Sequence, residues 1–176
     1  MDKEAIARLI DAKYTELITW LEQHPDDLWI VGPEGKWTTG QHVLHLLQSI
    51  TPLNTALSLP RFFVRYKYGK TNRPVRDYDT IIKRYNERLA EAKGKTFKPS
   101  QNMKVPNLAD KHYLMNRLQT ESKKLQYKTV RISDKNLDTL VLPHPLMGKM
   151  PVREIIMLSA YHVEHHLGTL KNHYGS

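Results

Sequence analysis

The sequence predicts an all-α protein, a four-helix bundle with a long crossover connection between its second and third main helices. Three observations carry that expectation. Four segments repeat apolar residues every three or four positions, the period of a helix with one buried face. No segment of comparable length alternates apolar and polar residues as a half-buried strand does. Residues 53 to 106 separate the second periodic segment from the third, a stretch long enough for the chain to cross the bundle rather than turn at its end. The length of 176 residues fits one domain, 1–176, that can bury a core of its own.

The first helix is expected over residues 3 to 23, where Ile6, Leu9, Ile10, Tyr14, Leu17, Ile18 and Leu21 recur on one face. His24-Pro25-Asp26-Asp27 stops it, because Pro25 disfavours helical geometry at His24. An apolar step, Leu28 to Val31, and a turn, Gly32-Pro33-Glu34-Gly35, follow. Thr38 suits the N-cap of the second helix, and Gln41 stands where the partner of a capping box belongs. This helix is expected to reach about Ile50, with Pro52 ending it. His45 shares a stripe of it with Thr38, and His42 lies about 60° round.

Residues 53 to 106 are the least regular part, broken by Pro60, Pro74, Pro99 and Pro106, with a short helix expected from Tyr78 to Ala92. Connections of this length often carry function. The third helix starts near Leu108, carries Leu114, Met115, Leu118 and Leu125, and ends near Lys128. Thr129 to Ile132 alternates too briefly to predict a strand. Val141 to Pro151 reads as a rigid, turn-rich entry to the fourth helix, which runs from Pro151 to about Asn172. Pro151 suits a first turn, where a missing N–H costs nothing. The first half of that helix is apolar nearly all round, which places it at the centre of the bundle.

Composition narrows the chemistry. The absence of Cys excludes disulfides, thiolate metal sites and a cysteine nucleophile, so any metal must be held by His, carboxylate or water. The charged start, Met1-Asp2-Lys3-Glu4, and the lack of an apolar run near 18 residues predict a cytoplasmic protein without a membrane partner. Residues 61 to 104 hold 13 Lys and Arg against 4 Asp and Glu, which accounts for the whole net charge of +9. Its start, Arg61 to Lys70, mixes cations with aromatics as nucleic-acid surfaces do. The expectation is instead a solvated connector lying on the protein by its aromatic side, so nucleic acid is not an expected partner. No Gly-x-Ser-x-Gly elbow supports a serine hydrolase.

His162 and His166 stand one turn apart on a face that Ile155, Ser159 and Thr169 extend. Two imidazoles at that spacing can chelate one divalent ion, provided a third ligand comes from elsewhere. His42 and His165 are within helical reach of the same region. His144 is placed either to cap the fourth helix or to line the metal pocket, and the structural role is expected because prolines on both sides fix the local backbone. Glu164 lies nearly opposite His162 and is expected at the surface or between helices rather than in catalysis. Trp37 and the aromatics of the first helix are assigned to the core, and His24, His112 and His173 to the surface or rim.

Three motifs, in order, resemble those of the DinB-like family (DinB/YfiT superfamily). Trp37-Thr38-x-x-Gln41-x-x-x-His45 is similar to the family pattern at the start of its second helix. His144-Pro145-x-x-Gly148 is similar to a run before the last helix, and His162-x-x-x-His166 to the paired ligands on that helix. The resemblance implies a four-helix bundle with metal ligands His45, His162 and His166. It implies zinc or nickel as the divalent transition metal. It further implies a small-molecule substrate, with metal-dependent hydrolase or thiol S-transferase chemistry using a low-molecular-weight thiol such as bacillithiol. A non-catalytic metal- or ligand-binding bundle is the alternative, no catalytic residue is assigned, and a homodimer is compatible with the fold.

Overall fold

A computed structural model describes residues 1–92 and 103–174. The helices are α1 (Lys3–Glu22), α2 (Thr39–Ser58), α3 (Arg61–Tyr68), α4 (Tyr78–Glu91), α5 (Lys111–Arg131), α6 (Asp134–Thr139) and α7 (Val152–Tyr174). Strands β1 (Val141–His144) and β2 (Gly148–Pro151) form an antiparallel hairpin before α7. The long helices α1, α2, α5 and α7 make the predicted bundle: α1 packs on α5 and α7, and α2 on the same two.

Side-chain pairs fix the directions. Gln126 Nε2 to Asp11 Oδ1 at 3.2 Å, and Lys111 paired with Asp26 beyond the end of α1, set α5 antiparallel to α1. Arg153 donates to Met1 O at 3.2 Å and Lys171 to Glu16 at 2.8 Å, so α7 runs parallel to α1. Contacts of His42 with His166, and of His45 with His162, set α2 antiparallel to α7. It follows that α2 and α5 are parallel. The chain must therefore travel the length of the bundle between them, and α3 and α4 lie on that crossing.

The expected starts of α1 and α2 are met by caps. Asp2 accepts from Ala5 N at 2.6 Å. Thr38 Oγ1 accepts from Gln41 N at 3.2 Å while Gln41 Oε1 accepts from Thr38 N at 2.9 Å, the predicted capping box. Gly40, in the first turn of α2, lies against a one-turn 3-10 helix at Asp26–Trp29. A Cβ there would sit 2.7 Å from Trp29 O and 2.9 Å from its indole, so no larger residue fits without displacing a fully buried Trp.

Several boundaries differ from the expectation. Pro52 does not end α2, which continues to Ser58. An interior proline costs about 3 kcal/mol. Leu53 and Leu57 beyond it are buried, each contributing about 1.5–3 kcal/mol, and Asn54 Nδ2 donates to Glu121 O at 2.9 Å, which together hold the last turns. Arg61 to Tyr68 is a helix rather than a connector on its aromatic side. Its period turns Val64 inward and leaves Phe62 and Tyr66 76% and 89% exposed. The third main helix begins at Lys111, after a 3-10 turn at Leu108–Asp110, and absorbs Thr129 to Arg131. The short helix α6 was not expected. The entry to α7 is the β1–β2 hairpin, with Pro151 paired to Val141 in β2 rather than inside the helix. Gly148, at φ +70°, supplies the left-handed residue that closes the hairpin turn. The predicted break at Pro99 lies outside the described residues.

The first seven residues of α7, Val152 to Leu158, are all buried, as its apolar composition implies. Among them Glu154 is fully buried, and it clamps the crossing segment. Arg73 donates to both its carboxylate oxygens at 2.5 and 2.7 Å, and Arg76 N donates to Oε1 at 2.8 Å. No helix among the described residues is long and apolar enough to cross a membrane.

Candidate metal centre

The antiparallel pairing of α2 with α7 brings the three predicted ligands together. His45 comes from the second turn of α2, and His162 and His166 come from adjacent turns of α7. Their Nε2 atoms converge: His45 to His162 at 3.2 Å, and His166 to His162 at 3.0 Å. Two-centre hydrogen bonds cannot satisfy both of these contacts at once. The Nε2 of His162 has one in-plane site, either a proton or a lone pair, yet it faces two other imidazole nitrogens. A single cation accepts a lone pair from each. At metal–nitrogen distances of about 2.0–2.1 Å, tetrahedral ligands stand roughly 3.3 Å apart, close to the observed separations. The three histidines fit such an ion, and among the described residues they form the one cluster of His and carboxylates that could hold it.

The environment keeps the ligands in the form a metal needs. Burial, with neighbouring imidazoles adding, lowers His45 to about 4 and His162 to about 3 and puts His166 well below the ordinary imidazole range. All three are therefore neutral at physiological pH, with lone pairs available.

His42 and His165, which helical reach left open, and His144 do not contribute a nitrogen to the cluster. Each has another place. His42 is buried, and its Nδ1 stands 2.9 Å from His166 Nδ1, on the far side of that ring from the Nε2 cluster. His144 Nδ1 accepts from the backbone N–H of Leu146 and Met147, both at 3.2 Å, and so builds the hairpin turn rather than capping the last helix. The side chains of His144 and His165 also line the cavity beside the cluster. Glu164 pairs with Lys13 of α1 at 3.0 Å, the interhelix role its position predicted.

Sequence reasoning missed other parts of the site. Trp37, assigned to the core, is half-buried and lies parallel to His166, with ring centroids 6.2 Å apart and planes 4° from parallel. Ser49 Oγ stands 3.5 Å from His162 Nδ1. Ser49 was within reach, being one turn after His45. Tyr85, on α4, packs edge-on to His162 at 6.5 Å, and nothing local to its sequence signals that.

The histidines open onto a cavity of about 860 Å³ between α2 and α7, covered by α4 and the β1–β2 hairpin. Its described walls are largely apolar, including Pro52, Leu53, Leu89, Leu142, Leu146 and Leu158, and no Lys, Arg, Asp or Glu of the described residues lines it. Of the basic segment, Arg73 and Arg76 are engaged with Glu154 rather than with the cavity.

The family model of the DinB superfamily matches residues 9–170, nearly the full chain. No curated protein and no solved structure gives a significant match.

Proposed function

The chain belongs to the DinB superfamily, and on that premise we propose that it is a metal-dependent enzyme acting on a small molecule, by thiol S-transfer or hydrolysis. The observation that carries this reading is the convergence of three neutral imidazole Nε2 atoms, 3.0–3.2 Å apart, at the end of a cavity of substrate size. His45, His162 and His166 would hold the ion, with zinc and nickel the metals that suit three imidazoles. When bound, a divalent ion supplies Lewis acidity that draws the pKa of a water or a thiol towards neutral.

The chain's own residues do the rest. His42 fixes the ring of His166, Trp37 lies parallel to that ring, and Ser49 and Tyr85 border His162. In the transfer, a low-molecular-weight thiol loses its proton to solvent and its sulfur forms a bond to an electrophilic carbon. The leaving group departs with the electron pair of the broken bond. In the hydrolytic form, water takes the place of the thiol.

A second reading, a non-catalytic metal- or ligand-binding bundle, is favoured by one observation: no carboxylate among the described residues lines the cavity to act as a general base. A panel of thiols, including bacillithiol and glutathione, and of activated esters, run on zinc- or nickel-loaded protein and on His162→Ala, separates the two. Turnover that requires both metal and His162 supports the enzyme, and equal rates in the variant overturn it. Absence of turnover with every thiol and ester favours the binding reading.

A further inference from the structure

We propose that the molecule handled at this site carries an uncharged, apolar body that lies along the bundle, with its reacting end at the histidines. The inference rests on the proposed function for the reacting end, but the body is read from the walls alone. Both helices that supply the ligands also supply the walls. On α2, His45 is followed along the cavity by Ser49, Pro52, Leu53 and Ala56. On α7, which runs the other way, His162 is preceded by Ser159, Leu158 and Ile155.

Helical rise converts those positions to length. From His45 to Ala56 is roughly 16 Å and from His162 to Ile155 roughly 10 Å. Ser49, Ser159, His165 and the three histidines stand near one end, whereas Leu53, Ala56 and Ile155 lie further along α2 and α7. Gln48, Tyr68, Tyr85 and His144 also line the cavity, so the chamber passes from metal-binding groups at one end to largely apolar described walls that carry no charged side chain.

Such a chamber selects against a charged body. A carboxylate placed among Leu53, Leu142 and Ile155 would lose its hydration without gaining a partner from the described walls. Among the described residues, three cations of the crossing segment and the hairpin hold other partners: Arg61 donates to Leu57 O at 2.8 Å, Lys149 to Tyr68 O at 2.9 Å, and Arg73 to Glu154. An alkyl or aryl body gains instead from every methylene it removes from water. If a polar thiol is the nucleophile, its charged part belongs at the mouth, and the apolar walls are left for the electrophile.

The test uses metal-free and zinc-loaded full-length protein and a series of n-alkanols from butanol to octanol, titrated by calorimetry. Affinity should rise about fourfold per added methylene, with the same trend in both forms. Leu89→Glu, which puts a charge in the wall, and Ala56→Trp, which fills the far end, should each flatten the series. Circular dichroism and zinc titration of both variants establish that fold and ligands are intact. A flat series on wild-type protein, an unchanged slope in both folded variants, or displacement of octanol from metal-free protein by an equal concentration of glutathione would overturn the proposal. The failure of the two readings is distinct: lost zinc binding with the chain-length trend intact strikes the metal chemistry, and zinc binding with a flat series strikes the apolar body.

Discussion

Replacing His42 tests how the site is held, because its contact with His166 is specific in a way packing is not. A neutral imidazole that gives its Nε2 lone pair to a cation must carry its ring proton at Nδ1. In His166 that proton points at His42 Nδ1, 2.9 Å away, so His42 must accept it and keep its own proton on Nε2. His42→Leu preserves most of the volume and removes the acceptor. The buried N–H of His166 then has no partner, at a cost of about 1–3 kcal/mol. That cost falls on the metal-loaded state, since without metal His166 can move its proton to Nε2 and leave a bare lone pair at Nδ1.

Zinc affinity should therefore drop by about 10- to 100-fold, equivalent to roughly 1.4–2.7 kcal/mol, while the metal-free fold changes less. Competition against a chromogenic chelator measures the affinity, and urea denaturation of metal-free protein measures the fold. His42→Gln supplies a carbonyl oxygen on a side chain of similar reach and should recover part of the loss. A Leu variant within about threefold of wild type would refute the reasoning, as would a Gln variant no better than Leu.

Other perturbations follow from the same structure. His162→Ala/His166→Ala should abolish zinc binding measured by titration, whereas His24→Ala, just past the end of α1 where His24 stacks on Trp20, should leave it unchanged. Gly40→Ala should destabilise the fold by about 1–3 kcal/mol in urea, because its Cβ meets the backbone and ring of Trp29. Arg73→Met should cost about 3 kcal/mol or more, read the same way, by leaving the fully buried Glu154 without its bidentate partner. Metal-free protein should lose stability as pH falls from about 6.5 towards 4, since burial lowers His42, His45 and His144 to about 4 and the unfolded chain then binds more protons than the folded one. Thermal unfolding across that window checks the sign, and a midpoint that rises on acidification would contradict it.

What the sequence made legible was local. Helical period and capping chemistry act over one or two turns, which is why the start of α2, the paired His162 and His166 and the outward Glu164 could be read from spacing. The family motif added His45, and the antiparallel contact of α2 with α7 shows how that residue reaches the pair. Pro52 misled because its penalty is local while the compensation, Leu53 and Leu57 in the core and Asn54 on Glu121, comes from other helices. Trp37 misled for a related reason: it precedes the N-cap, so no period applies to it, and its place over His166 depends on how the turn after Trp29 returns.

The division has a consequence for function. The ligands sit on long helices whose register is set by the core, but part of the cavity wall comes from α4 and the β1–β2 hairpin, which belong to the connections. Leu89 and Tyr85 reach the cavity because α4 packs on α7, and Leu142 and Leu146 because the hairpin folds back before it. Substitutions in those connections, Tyr85 beside His162 excepted, should alter which molecule is bound without disturbing the three nitrogens, since no candidate ligand's backbone lies in them. The reverse does not hold, because His45 and His162 each share a helix with the walls, and a shift of α2 against α7 moves both. On the proposed function, metal affinity would thus be tied to bundle packing, and substrate choice would be the part of the site most free to vary.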